Sequence, residues 1–250
     1  MLDATTINKL HEMKLGVMAE SFLQQSKELD RYAQLSFEER FGFLVDEQWA
    51  HRKSNRINRC IQHAQFRYPN ACMEGIDYFA DRNLDQSLLL RLATGAYIAD
   101  HRDILLLGPT GCGKTFISNA LGICACRKGY AVRYIRLPEL LDDFVLAREM
   151  NTFRKVMSRY QKYALLILDE WLLTSLDEMQ TRDLLELLEI RCTDSSTIFC
   201  SQFSPLGWHG KLGDGALADS VLDRIIHNAY KMEIQGKSSM RERYGIPKDS

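Results

Sequence analysis

Apolar residues recur near the helical period across residues 5–29, at Ile7, Leu10, Val17 and Phe22, with Lys9, Glu12 and Glu20 between them. That pattern predicts an amphipathic helix. A second helix starts at Ser36-Phe37-Glu38-Glu39, where the serine is an N-cap and the glutamate three residues on completes a capping box. It carries Phe41, Leu44, Val45 and Trp49 on one side and runs toward Phe66. Tyr68-Pro69-Asn70 ends it, because the residue before a proline is driven out of helical space. Residues 1–68 therefore read as a small all-helical domain, and residues 69–250 as a second domain with a different pattern. Leu88, Leu89, Leu92 and Ile98 predict helix within residues 78–103. Beyond it, short apolar runs at 104–107, 131–135, 164–168 and 197–200 alternate with helical stretches, one capped by Gly129 and the next opened by Pro138. Such runs are buried strands, and their alternation with helices predicts an α/β domain whose parallel sheet is covered on both faces.

A chain of 250 residues holds one large domain, or one domain with a small appendage. Its net charge of −1 excludes a globally basic protein, so a nucleic-acid partner has to be met by a local patch. One such patch exists. Between Glu47 and Glu74 there is no acidic residue, yet Arg52, Lys53, Arg56, Arg59 and Arg67 all fall there. Arg52, Arg56, Arg59 and His63 are spaced to share one helical face, while Ile57, Cys60, Ile61 and Ala64 serve another. A one-signed stripe of this kind is an electrostatic footprint for the phosphate backbones of nucleic acid, the alternative being a solvated surface face. The seven cysteines are odd in number and scattered, without zinc spacing, which suits reduced thiols in the cytoplasm. The first residues lack the apolar core of a signal peptide, and no apolar run approaches membrane-spanning length, so no membrane partner is expected.

The chemistry concentrates at Gly108-Pro109-Thr110-Gly111-Cys112-Gly113-Lys114-Thr115, which follows the 104–107 strand and precedes a helix beginning near Phe116. Strand, glycine-rich loop and helix form the context a phosphate-binding P-loop requires. The glycines let successive backbone N–H groups point inward at phosphates, above the partial positive charge of the helix N-terminus. Lys114 is placed for the β- and γ-phosphates of ATP, and the Thr115 hydroxyl for Mg²⁺.

The 164–168 strand ends in Asp169-Glu170, the form of a Walker B segment. Asp169 would hold Mg²⁺ and Glu170 would orient and deprotonate the attacking water, a pair that suits an ATPase better than a small-molecule kinase. The next strand ends in Ser201-Gln202, and either side chain is a candidate to bridge the γ-phosphate and the water. Arg224 is a candidate for an arginine supplied to a neighbouring subunit, with a surface ion pair as the alternative.

On these residues, and on Leu222-Asp223-Arg224-Ile225-Ile226-His227-Asn228-Ala229 and Gly236-Lys237-Ser238-Ser239-Met240-Arg241, the sequence resembles the AAA+ ATPases of the DnaA/DnaC-like branch. Within that branch it is most similar to IstB, the ATP-binding helper encoded by some bacterial insertion sequences. The resemblance implies a P-loop core of five parallel strands in the order 5-1-4-3-2. The chain departs from the family in that little of it remains beyond Ile234 for the full helical lid such proteins usually carry, so a reduced C-terminal lid is expected. The resemblance also implies ATP-dependent assembly of a homo-oligomer on DNA, with ATP at the subunit interfaces, hydrolysis to ADP and phosphate, and cooperation with a partner transposase. It makes residues 108–116 with Asp169 the nucleotide site, Thr115 and Asp169 the Mg²⁺ ligands, and Ser201 or Gln202 the first sensor. Arg224 becomes the trans-acting arginine and Arg241 a late arginine near the nucleotide or the next subunit. A replicative helicase loader of the DnaC type is the competing reading, and a metabolic P-loop kinase a weaker one.

Overall fold

Every position of the 103–107, 165–169 and 196–201 runs is buried, and these runs lie side by side in one parallel sheet. A computed structural model describes residues 4–213, 215–236 and 239–243, without the side chains of Ala80, Arg241 and Glu242. The chain divides into two compact units, Met1–Arg59 and Cys60–Ser250.

The first unit holds helices α1 (Ala4–Glu12), α2 (Gly16–Lys27), α3 (Leu29–Tyr32) and most of α4 (Phe37–Ala64). The single helix expected over residues 5–29 is broken, which corrects the sequence reading. Lys14 takes a left-handed φ of 59°, and the Leu15 N–H donates to the Leu10 carbonyl at 2.8 Å, so α1 closes in a tight turn before Gly16. The capping box at the start of α4 forms as expected, with Ser36 N–H on Glu39 Oε2 at 2.8 Å and Glu39 N–H on Ser36 Oγ at 3.2 Å. The interior of this unit is thin and partly polar. Ala19 and Leu44 are buried beside Gln25 and Gln48, whose side chains hold the Arg40 carbonyl at 3.1 Å and the Met18 N–H at 3.2 Å. Helix α4 stops at Ala64, where Gln65 turns to φ 56°, four residues before Pro69.

The second unit begins with the last turn of α4, followed by short 3-10 turns at Met73–Gly75 and Ala80–Arg82. The helix expected within residues 78–103 is split into α5 (Gln86–Ala93) and α6 (Ala96–Ala99). Asp85 sets the start of α5 by accepting from the Leu88 N–H at 2.9 Å, and Gly95, at φ 76°, separates the two. Then follow β1 (Asp103–Leu107), α7 (Lys114–Arg127), β2 (Val132–Arg136), α8 (Leu137–Glu149), α9 (Phe153–Gln161) and β3 (Leu165–Asp169). The chain continues through α10 (Glu178–Arg191), β4 (Ser196–Ser201), α11 (Pro205–Leu212), α12 (Ala216–Ile226), β5 (Ala229–Glu233) and α13 (Met240–Arg243).

The strands lie in the order β2-β3-β4-β1-β5, all parallel, which is the expected 5-1-4-3-2 read from the other edge. Side chains alternate across the sheet with period two. Ile104, Leu106, Ile167, Ile198 and Cys200 pack with α7 residues such as Ile117 and Leu121 on one face. Leu105, Leu107, Leu166, Leu168 and Phe199 pack with α8, α10 and α12 on the other. Gly122 of α7 lets Phe66 approach, since a Cβ there would fall 2.5 Å from the Phe66 ring. At the amino edge, buried Arg191 donates to the carbonyls of Tyr160, Tyr163 and Ser196 at 2.7 to 2.9 Å, and Asp103 accepts the Thr197 N–H at 2.6 Å. Burial pushes the Asp103 carboxyl up to about 7 and the Arg191 guanidinium down to about 10.

Candidate nucleotide-binding site

Strand β1 delivers the chain to the carboxyl edge of the sheet, where Gly108, Gly111 and Gly113 take φ of 149°, 80° and 94°. These values are open to glycine and strained for other residues, and they let the loop wrap the N-terminus of the fourteen-residue helix α7. Pro109, Thr110 and Cys112 complete the turn, with the Cys112 side chain buried. The Lys114 ammonium folds back over the loop and donates to the Gly108 carbonyl at 2.7 Å and the Pro109 carbonyl at 2.9 Å. Phe116 turns toward Tyr68, with ring centroids 6.1 Å apart.

The Walker B segment meets this loop directly. Thr115 Oγ1 donates to Asp169 Oδ2 at 2.7 Å, and the Tyr134 hydroxyl donates to the same oxygen at 2.9 Å. The other oxygen, Oδ1, accepts the Glu170 N–H at 2.9 Å, so a buried carboxylate is fully engaged. Burial, together with the Asp169 charge, pushes the Tyr134 hydroxyl far above its ordinary range, which keeps it a proton donor. Glu170 sits at φ 56° and Leu172 at φ 51°, two left-handed residues in one short loop. Strain of this kind costs roughly 1–3 kcal/mol per residue and persists where surrounding contacts enforce it. Here the Trp171 N–H is held by the Cys200 carbonyl at 2.9 Å and the indole packs edge-on against Phe199 at 4.7 Å. The outcome is a half-buried Glu170 carboxylate, 4.0 Å from Arg136.

Ser201 and Gln202 have different surroundings. The Ser201 hydroxyl is buried, donates to the Trp171 carbonyl at 3.0 Å, and accepts from the Trp208 indole N–H at 2.9 Å and the Phe203 N–H at 3.1 Å. It pins the loop that carries Glu170. Gln202 follows it, exposed, just beyond the end of β4.

A cavity of about 340 Å³ opens beside the loop, within the roughly 300–1,000 Å³ usual for small-molecule sites. Tyr68, Ile76 and Phe116 give it apolar walls, while Gly113, Lys114, Thr115 and Arg82 give it a polar end. The combination fits a nucleotide: an apolar compartment adjoining an anion cradle. Sequence reasoning missed two residues here. Tyr134 is a buried hydroxyl-bearing residue on a β-rich strand, a weak signal that was available; Arg82 has no sequence signal, because its place in the cavity wall arises from the distant segments that fold around it.

The C-terminal segment closes over the loop. Ile234 N–H donates to the Leu107 carbonyl at 2.7 Å, Gln235 N–H to the Arg82 carbonyl at 3.0 Å, and Met240 N–H to the Gly111 carbonyl at 2.9 Å. Arg241 therefore follows a residue bonded to the P-loop, although its side chain lies outside the described residues.

Arg224 is not brought to this loop. It neighbours Asp103, Arg191 and Thr197 at the amino edge of the sheet, opposite the P-loop, and pairs with Glu189 at 2.7 Å. Arg52, Lys53, Arg56 and Arg59 are exposed on α4 in the first unit, and Arg67 is exposed in the second. None of the five pairs with a carboxylate among the described residues. Arg52 donates to the Lys14 carbonyl at 3.2 Å and Lys53 lies over the Trp49 ring at 4.8 Å. Among the described residues no helix is long and apolar enough to cross a membrane, and no cluster of His, Cys, Asp and Glu could hold a metal by itself.

The fold and the site define a P-loop protein of the AAA+ class. Solved structures agree on the fold. AMPPCP-bound DnaA from Aquifex aeolicus superposes with a TM-score of 0.59 at 20% identity, over 70% of this chain and about half (53%) of that one. The DnaC helicase loader superposes with a TM-score of 0.52 at 18% identity, over 68% of this chain and 99% of that one. Residues 8–245 match the family model described as IstB-like ATP binding protein, and the chain belongs to this family. Among its relatives, an insertion-sequence ATP-binding protein of Sinorhizobium fredii is 36% identical over 96% of this chain and 98% of its own length. The ATP-binding protein of insertion sequence IS1162 from Pseudomonas fluorescens is 39% identical over 81% of this chain and 87% of its own.

Proposed function

We propose that this protein is an ATP-dependent DNA-binding regulator that assembles as a homo-oligomer on double-stranded DNA and assists the transposase of its own insertion sequence. The observation that carries the ATPase part is the 2.7 Å contact between Thr115 and Asp169, which joins the P-loop to the Walker B acid. The insertion-sequence part rests on family membership and on relatives that match over nearly their whole length. The DnaC-type loader reading is supported at the level of fold alone, at 18% identity, and is not favoured.

When bound, ATP with Mg²⁺ supplies the scissile phosphoanhydride and a cation to offset its charge. The chain's residues do the rest. The loop N–H groups and Lys114 bind the phosphates, giving up the Lys114 bonds to Gly108 and Pro109. Thr115 and Asp169 would hold Mg²⁺ once their mutual bond opens, Tyr134 keeps the Asp169 carboxylate oriented, and Glu170 would take the proton of the attacking water. Gln202 serves as first sensor, because the Ser201 hydroxyl is committed to Trp171 and Trp208. Arg224, remote from its own P-loop, acts on the nucleotide of a neighbouring subunit, and exchanges its Glu189 partner for phosphate on assembly. Arg241 follows the tail residue bonded to Gly111 and contacts the nucleotide or the adjoining subunit. Residues 1–68 form the DNA- and partner-binding domain and residues 69–250 the ATPase. Arg52, Lys53, Arg56, Arg59 and Arg67 contact phosphates of DNA without reading bases. The seven free thiols suit a cytoplasmic site of action.

The direct test is a transposition assay with the cognate transposase and a marked element. Wild-type protein should stimulate insertion and Lys114→Ala should not; stimulation that survives Lys114→Ala would remove the nucleotide from the mechanism.

A further inference from the structure

Arg82 is buried at 3% exposure in the wall of the nucleotide cavity, yet it pairs with no carboxylate among the described residues. Its Nη2 donates to the Cys112 carbonyl at 2.7 Å and its Nη1 to the Asp77 carbonyl, while Nε–H has no partner. Backbone carbonyls solvate a guanidinium but do not neutralise it. Burial lowers its pKa, the Asp77 and Asp81 carboxylates act against this from nearby without pairing with it, and Arg243 opposes them, so the buried charge is incompletely compensated. Something must recur at this place to make the arrangement worth keeping.

The surroundings hold Arg82 in position from three sides. Its own carbonyl accepts the Gln235 N–H at 3.0 Å, and its neighbour Asp81 pairs with Arg243, whose guanidinium lies 4.7 Å over the Phe79 ring. The P-loop leaves room for it as well. A Cβ on Gly113 would fall 2.7 Å from Arg82 Nη2, so the glycine that a φ of 94° calls for also leaves the guanidinium its place. The guanidinium thus lines the same cavity as Lys114, placing two cations beside the P-loop.

We propose that Arg82 is a second, cis-acting cation of the phosphate site, whose counter-ion is the polyphosphate of the bound nucleotide. This rests on the reading of the cavity as a nucleotide site. Arg82 then distinguishes nucleoside di- and triphosphates from nucleosides. Through its backbone bond to Gln235 it also ties occupancy of the phosphate site to the tail that carries Arg241.

The test compares ATP, ADP and adenosine binding to wild type, Arg82→Gln and Arg82→Lys, by calorimetry for the nucleotides and ligand-observed NMR for adenosine. Loss of a charge-assisted contact should weaken ATP and ADP by about tenfold to a hundredfold in Arg82→Gln. Adenosine affinity should stay unchanged, and Arg82→Lys should recover part of the loss. Equal weakening of adenosine, or unchanged ADP affinity, would overturn the proposal. Wild type that binds none of the three would instead reject the nucleotide site itself. If Arg82→Gln does not fold, the Nε–H resonance of Arg82 in the wild-type ¹⁵N spectrum, assigned by its loss in Arg82→Lys, carries the test. It should shift with ADP and not with adenosine; a resonance indifferent to ADP would contradict the assignment.

Discussion

Tyr134 and Asp169 stand on adjacent strands, and the tyrosine hydroxyl donates to the carboxylate at 2.9 Å on the same oxygen that Thr115 holds at 2.7 Å. The P-loop helix, β2 and β3 thereby converge on one atom. Removing the hydroxyl leaves that oxygen with one donor fewer in a buried place. Tyr134→Phe should lower unfolding free energy by about 1–3 kcal/mol, read from denaturant midpoints. It should also weaken the Mg²⁺-dependent part of ATP affinity while leaving affinity in EDTA unchanged. A variant indistinguishable from wild type in both would mean that Asp169 needs no such support.

Asp103 is titrated across neutral pH by its burial, which raises its carboxyl to about 7 against an ordinary carboxylate range near 4. The folded state then binds more protons than the unfolded one between those values, so this group costs stability progressively as pH rises from about 4 to about 7. Below that window the carboxyl is neutral in both states and the cost vanishes; above it the cost is constant. Asp103→Asn keeps an acceptor for the Thr197 N–H and removes the titration. Urea unfolding of the two proteins at several pH values should show wild type losing ground to the variant from pH 4 to 7, then running parallel. A difference independent of pH would show that folding leaves the Asp103 titration unshifted.

The α4 stripe makes an electrostatic prediction. If Arg52, Arg56 and Arg59 each neutralise a phosphate, replacing all three with alanine should reduce the slope of log affinity against log salt by up to about 2.7, at roughly 0.9 per contact. Fluorescence anisotropy on a duplex of arbitrary sequence, titrated over a salt series, measures it. An unchanged slope would remove these residues from the DNA interface.

What the sequence carried was local. The apolar runs ending in Leu107 and Asp169 are contiguous signals, and so are the glycines of the loop, which is why four of the five strands and both Walker segments are legible without coordinates, while β5, with one buried position in five, carries no such run. The break at Lys14 is not, because a left-handed turn between two amphipathic stretches leaves the helical period nearly undisturbed. Nor could the different surroundings of Ser201 and Gln202 be read from adjacent polar residues. They depend on Trp171 and Trp208, one from the loop after β3 and one from α11, meeting over the Ser201 hydroxyl. Arg82 is the extreme case. Its surroundings come from residues near 77, 112 and 235, and no window of sequence contains them together.

The central claim is that nucleotide governs assembly on DNA, and sedimentation of protein with duplex DNA tests it most directly. Three conditions suffice: ATP with Mg²⁺, ADP with Mg²⁺, and Glu170→Gln with ATP and Mg²⁺. Large DNA-bound particles with ATP, dispersed in ADP and persistent in Glu170→Gln, are the predicted result. A particle that stays small and ignores DNA in all three would contradict it.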